Sequence, residues 1–145
     1  MEEKLLHTSA LVVIKDNSIL LAFSKNKNAW YLPGGKIDDG ETAVDSLVRE
    51  IDEELNIQLN PDKLIFYCHI TAPAFGEAKN IIMEQDCFIY PLDSNSIKPG
   101  NEIADAGFFD FETYLLEKEL VPGVIQLFHQ LQKDGRIQKI NEASN

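Results

Sequence analysis

Residues 35–57 read GKIDDGETAVDSLVREIDEELNI, and their pattern decides the architecture. From Thr42 to Leu55 the apolar residues recur at helical spacing. Thr42 with Asp45 three residues later reads as a capping box, Asp standing where Glu is usual. On a helical wheel Glu50, Glu53 and Glu54 span about 100° of one face. Ala43, Val44, Leu47, Val48, Ile51 and Leu55 form an apolar stripe beside them, so this helix buries one side and presents three carboxylates along its border. Residues 36–54 hold eight acids against Lys36 and Arg49, a net of −6, which is more than half of the chain's net charge of −11. Like charges at i,i+3 and i,i+4 destabilise a bare helix by about a few tenths of a kcal/mol per pair. A solvated acidic face usually interleaves Lys or Arg to relieve that repulsion, yet no Lys falls between Lys36 and Lys63. Such an oxygen-rich cluster suits a hard divalent cation, Mg2+ or Mn2+.

Two competing motifs fail on spacing. An EF-hand loop with Gly40 sixth would start at Gly35 and put Ile37 third, where a side-chain oxygen is needed. Gly34-Gly35-Lys36 lacks the upstream glycine of a P-loop and is followed by Ile37 instead of Ser or Thr.

Working outward, His7 to Ile14 is apolar and β-branched, Lys15-Asp16-Asn17-Ser18 reads as a turn, and Ile19 to Phe23 as a second strand, which predicts a hairpin. The polar loop Ser24 to Asn28 leads to Trp30-Tyr31-Leu32 and then Pro33-Gly34-Gly35, backbone that must turn sharply or approach something closely. Leu64 to Phe75 and Ile81 to Leu92 are β-rich runs around Gly76–Asn80, a second hairpin. A symmetric register pairing Phe75 with Asn80 sets Cys68 opposite Cys87, expected as reduced thiols. A short strand, Gly107 to Phe111, precedes a last helix with Pro122 in its first turn and a stripe of Val124, Ile125, Leu127, Phe128 and Leu131. Beyond Gly135 the chain turns polar and is expected to fray. The order of strands, helix, strands, helix predicts an α+β fold or a mixed sandwich, with one domain over 1–135 and a polar C-terminal tail over 136–145.

Composition excludes several classes. The 145 residues, 44% hydrophobic and 26% charged, suffice for one domain with its own core. A net charge of −11 disfavours nucleic acid and anionic membrane as partners. Small phosphorylated ligands stay compatible, because a bound cation reverses the local sign of a site. No apolar run approaches the roughly 20 residues of a membrane span. The start carries acids before its apolar stretch and does not resemble a secretory signal. Cys68 and Cys87 make no CxxC pair, so neither a disulfide framework nor a zinc site is expected. The expectation is a soluble, cytoplasmic protein, with a homodimer left open.

Gly35, five residues, Glu41, seven residues, then Arg49-Glu50-Ile51-Asp52-Glu53-Glu54-Leu55-Asn56-Ile57 resembles the Nudix box, G-x5-E-x7-R-E-U-x-E-E-x-G-U with U a bulky aliphatic. Eight of the nine specified positions match, and the element order resembles the family over residues 5–133. The departure is Asn56, where the family has Gly. That position ends the helix in a left-handed conformation, which Asn tolerates best among other residues, so the change is expected to be structurally neutral.

The resemblance implies a Nudix-like α/β/α sandwich with a mixed β-sheet, and hydrolysis of a nucleoside diphosphate-linked substrate by water and Mg2+ or Mn2+. It makes Glu50, Glu53 and Glu54 metal ligands together with the Gly34 carbonyl. Glu50 or Glu53 would also orient or deprotonate the water. Glu102 resembles the acid that many members bring from a late loop as an extra ligand or base. Glu41 and Arg49 would stand behind the ligands, Arg49 fixing a carboxylate by pairing with it. Gly35 with Gly34 would hold the diphosphate, Lys25 or Lys27 would touch phosphate, and Tyr31, Phe75 or Trp30 would stack on a base. The blander readings are solvated lysines, rim aromatics and an ordinary loop acid. His69, Glu84 and Asp86 read as an exposed strand face. The small size favours a nucleoside triphosphate, oxidised or not, cleaved to nucleoside monophosphate and pyrophosphate. The alternatives are ADP-ribose or another nucleotide sugar, a dinucleoside polyphosphate, or a sensor domain that binds a nucleotide without cleaving it.

Overall fold

The computed structural model describes residues 2–93 and 96–139. The chain runs β1 (Lys4–Val12), β2 (Ile14–Lys15), β3 (Ser18–Ser24), β4 (Ala29–Tyr31), β5 (Gly34–Lys36), α1 (Ala43–Leu55), a 3-10 turn at Pro61–Lys63, β6 (Ile65–Pro73), β7 (Ile81–Ile89), β8 (Ile103–Phe109), α2 (Phe111–Tyr114) and α3 (Pro122–Lys133). One mixed sheet has the order β5-β1-β7-β6, with β1 parallel to β7 and the other pairs antiparallel. In the second sheet β3 pairs β8 on one edge and β2 and β4 on the other.

Helices cover both sides. Leu47, Ile51 and Leu55 of α1 are fully buried against Leu11, Val13, Leu20 and Phe88. Val124, Leu127, Phe128 and Leu131 of α3 pack in a separate core with Ala10, Val12, Ile70 and Cys87. Each such side chain contributes about 1.5–3 kcal/mol. The α/β/α sandwich with a mixed sheet is what the sequence implied.

The opening hairpin forms only in its last two pairs, Ile14↔Ile19 and Lys15↔Ser18, around Asp16 and Asn17 at φ 50° and 62°. The strand before it lies in the other sheet. Ala10, Leu11 and Val12 are each fully buried, the mark of a central strand covered on both faces, whereas a half-solvated hairpin strand would alternate. The second hairpin follows the expected register from Pro73↔Ile82 to Cys68↔Cys87, where both cysteines are free thiols. A bulge then shifts it so that Phe66 faces Phe88. The strand expected at Gly107–Phe111 starts earlier and ends at Phe109. Asp110 caps the short α2 by accepting from the Thr113 N–H at 2.8 Å. Past Gly135, Ile137 is buried and the Gln138 N–H donates to Asn17 Oδ1 at 2.6 Å. Residues 140–145 of the expected tail lie outside the described residues.

Both ends of α1 are closed. Thr42 and Asp45 make the reciprocal capping box. Asn56 is left-handed at φ 56°, ψ 42°, as its place in the helix requires, and its Nδ2 also donates to Lys98 O at 2.6 Å. The N–H groups of Lys98 and Gly100 donate to Leu55 O and Glu54 O at 3.0 and 2.8 Å. A loop distant in sequence thus satisfies the last carbonyls of the helix.

Candidate active site

The strand β5 brings two glycines against α1. Gly34 has φ 138°, and a Cβ there would lie 2.1 Å from Ser9 O, so only glycine fits. Its N–H donates to Glu54 Oε1 at 3.0 Å. A Cβ on Gly35 would meet Glu50 Oε2 at 2.0 Å, so backbone and carboxylate are in direct apposition. Gly35→Ala must therefore push the Glu50 carboxyl aside, which its flexible side chain permits without moving the backbone. We expect the melting temperature of the variant to stay close to wild type, because only this one side chain has to move, and a thermal melt checks this.

Arg49 organises the acids. Its Nε and Nη2 form a two-point pair with Glu41 at 2.8 and 2.9 Å, and its Nη1 reaches Glu50 at 2.7 Å and Glu53 at 3.0 Å. The hydrogen bonds from Arg49 hold the Glu41 carboxyl down at about 2. Burial pushes Glu50 upward against the opposing pull of Arg49. Glu54 is only 7% exposed, and its burial raises it to about 8, with the charges of Glu50, Glu102 and Glu53 adding to that effect against the Gly34 hydrogen bond. Arg49 thus ties Glu41 to Glu50 and Glu53.

Glu102 stands just before β8. Its backbone carbonyl accepts from Lys25 N–H at 2.9 Å and its Oε2 from Asn26 Nδ2 at 2.8 Å. Lys25 is thus a backbone anchor of this acid, with its side chain exposed outside the cleft, whereas Lys27 lines it. The Lys27 ammonium pairs with Glu77 and donates to Gly76 O at 3.2 Å, so loop 24–28 meets the β6–β7 loop across the opening.

Glu54 and Glu102 line a cleft of about 210 Å³ between the sheets. Tyr31, Phe75, Gly34 and Gly35 line it. The Tyr31 hydroxyl donates to Phe75 O at 3.2 Å and the rings meet edge to face at 6.1 Å. Trp30 instead packs between Phe23 and Phe109, partly buried against the core. Among the described residues no group of three His, Cys, Asp or Glu is arranged as a ready metal cage, because Glu50 and Glu53 turn to Arg49 and Glu54 to Gly34. The donor set is nonetheless all oxygen and strongly negative, which fits a hard divalent cation. His69, on the sheet face outside the cleft, bonds Asp86 at 2.7 Å and Glu84 at 3.0 Å, and these carboxylates raise it above the usual histidine range. No helix among the described residues is long and apolar enough to cross a membrane.

Residues 5–131 match the family model of the NUDIX domain. An ADP-ribose pyrophosphatase of Methanocaldococcus jannaschii is 33% identical over 103 residues, covering 68% of this chain and 58% of that protein. An 8-oxo-dGTP diphosphatase of Proteus vulgaris is 36% identical over 70 residues, covering 45% of this chain and 62% of that one. The chain therefore spans less than two thirds of either relative. The MutT protein from Methanosarcina mazei has the same fold, with a TM-score of 0.75 at 17% identity over 94% of this chain and 99% of that one. The chain belongs to the Nudix hydrolase family.

Proposed function

We propose that this chain is a divalent-cation-dependent pyrophosphohydrolase whose substrate is a nucleoside triphosphate, oxidised or not, released as nucleoside monophosphate and pyrophosphate. The observation that carries the reading is the buried Glu54 carboxyl, which accepts from the Gly34 N–H and lines the cleft together with Glu102. Glu50, Glu53, Glu54 and the Gly34 carbonyl would hold Mg2+ or Mn2+, with Glu102 as a further oxygen donor. The bound cation neutralises the diphosphate and lowers the pKa of water. Glu50 or Glu53 accepts the proton of the attacking water, whose oxygen bonds to phosphorus as the anhydride bond breaks. Arg49 keeps both carboxylates aimed and offsets their mutual repulsion in the absence of the cation.

Added Mg2+ or Mn2+ should raise the melting temperature by mass action, because it relieves clustered carboxylates in the folded state alone. EDTA should abolish turnover. A melt insensitive to metal, with activity surviving EDTA, removes the cation from the reading.

The substrate is tested by a panel of nucleoside triphosphates, oxidised triphosphates, ADP-ribose, other sugar nucleotides and dinucleoside polyphosphates, with products identified by mass and by ¹⁸O-water. The name of the M. jannaschii relative is the reason ADP-ribose belongs there. A triphosphate should give nucleoside monophosphate and pyrophosphate, and ADP-ribose should give AMP and ribose 5-phosphate. A preference for ADP-ribose over every triphosphate replaces the substrate and keeps the chemistry. Tight binding without turnover across the panel favours a sensor.

A further inference from the structure

The floor of the cleft holds a polar pair that the hydrolytic chemistry does not use. Thr8 on β1 and Gln85 on β7 are register partners on parallel strands, and both line the cleft. They are 7% and 8% exposed. Other buried hydroxyls are partnered. Ser9 donates to Ser46 at 3.4 Å, Ser46 to Lys36 O at 3.1 Å, and Ser24 accepts from Lys27 N–H at 3.2 Å. Thr8 Oγ1, by contrast, has no hydrogen-bond partner among the described residues. The side-chain bond formed by Gln85 is a long one, from the Cys87 thiol to its Oε1 at 4.0 Å. A buried, unpaired hydroxyl destabilises the fold, so its presence calls for a use.

The surroundings say what would use it. Tyr31, Phe75, Leu6 and Met83 give the cleft apolar and aromatic walls. Its cations stand at the rim, Lys36 exposed and Lys27 tied to Glu77. The floor is therefore neutral and can both donate and accept, which suits the edge of a planar heterocycle and not a phosphate. The distance fits as well. Ala10 is the register partner of Gly34, and Thr8 lies two residues before it, about 7 Å along the strand. That is the reach of one ribose between a phosphate held at Gly34 and its base.

We infer that Thr8 Oγ1 and the Gln85 amide form the base-reading floor of the substrate site, hydrogen-bonding the edge of a nucleobase seated against Tyr31, Phe75 and Met83. This rests on the nucleotide reading above and adds the pair that sets base preference. Loss of one buried hydrogen bond to the preferred base should cost about tenfold in kcat/KM.

The test compares wild type with Thr8→Val, Thr8→Ser and Gln85→Met. Turnover is measured on triphosphates that differ in base and on base-free ribose 5-triphosphate, and metal-free binding of nucleoside monophosphates is measured by calorimetry. Thr8→Val and Gln85→Met should lower the ratio of preferred-base to base-free turnover about tenfold and weaken monophosphate binding. Thr8→Ser should keep both. Thr8→Val should also melt higher than wild type without ligand, because it removes the unpaired hydroxyl. Wild-type turnover with base ratios unchanged in both Thr8→Val and Gln85→Met overturns the base-reading floor and leaves the hydrolase standing. Monophosphate binding that those variants weaken, with no wild-type turnover, supports the floor and overturns the hydrolase.

Discussion

Glu53→Gln is expected to lower turnover by about 10²-fold or more with the fold intact, the scale of losing a general base or a charged ligand. Glu53 lies on the acid border of α1, four residues after Arg49, and its Oε1 accepts from Arg49 Nη1 at 3.0 Å. An amide oxygen can keep that hydrogen bond, so packing and helix geometry are preserved. The negative charge is lost, and with it proton acceptance and most of the attraction for a cation. Removing one of several neighbouring carboxylates also relieves repulsion, so the metal-free variant should melt at or slightly above wild type. Steady-state kinetics with saturating Mg2+ and a melt in EDTA measure the two halves. Unchanged turnover would move the chemistry to Glu102, which lines the cleft and accepts from Asn26 Nδ2.

The second large effect is a pH dependence of the metal-free protein. Glu54 titrates at about 8 in the folded chain against 4.5 as a free side chain, chiefly because burial disfavours its charge. Between those values the folded state binds the extra proton, so stability falls as pH rises through the window and levels off above it. The loss is on the order of a few kcal/mol across the window. Denaturant midpoints in EDTA should decline from pH 5 to pH 8, and Glu54→Gln should remove most of the decline because its amide is neutral throughout. Saturating Mg2+ should flatten the wild-type curve by displacing the same proton. A variant as pH-sensitive as wild type would move the effect to other groups.

The acid helix was legible because its chemistry is local. Thr42 and Asp45 act through spacing along one helix, and the capping box stands where that spacing put it, while the pairing of Arg49 and the left-handed Asn56 were implied by the resemblance of the motif. The symmetric register that set Cys68 against Cys87 held for the same reason, until a bulge no pattern announces shifted Phe66. Non-local pairing was hidden. Nothing within His7–Ile14 says that β1 joins β7, some 77 residues on, while Ile14 and Lys15 stay with β3. That sheet change is what puts Thr8 beside Gln85, each of which alone reads as a stray polar residue in an apolar strand. Lys25 and Lys27 were indistinguishable as loop lysines, and only the turn decides that Lys27 lines the cleft. Trp30 and Tyr31, adjacent aromatics before Pro33-Gly34-Gly35, offered the same stacking surface in the sequence. Alternation along β4 sends the two to opposite faces.

The hydrogen bonds that join loop 98–100 to the end of α1 make one folding unit out of two distant pieces of chain. Glu54 and Leu55 give their carbonyls to Gly100 and Lys98, and Asn56 closes the same seam with its side chain. A glycine at that position would keep the turn and lose the seam's third stitch. Glu102 follows two residues later, so the loop carrying it cannot open without fraying the last turn of the helix that carries Glu53 and Glu54. Local unfolding therefore takes these acids away together, and whatever steadies one of them steadies the others.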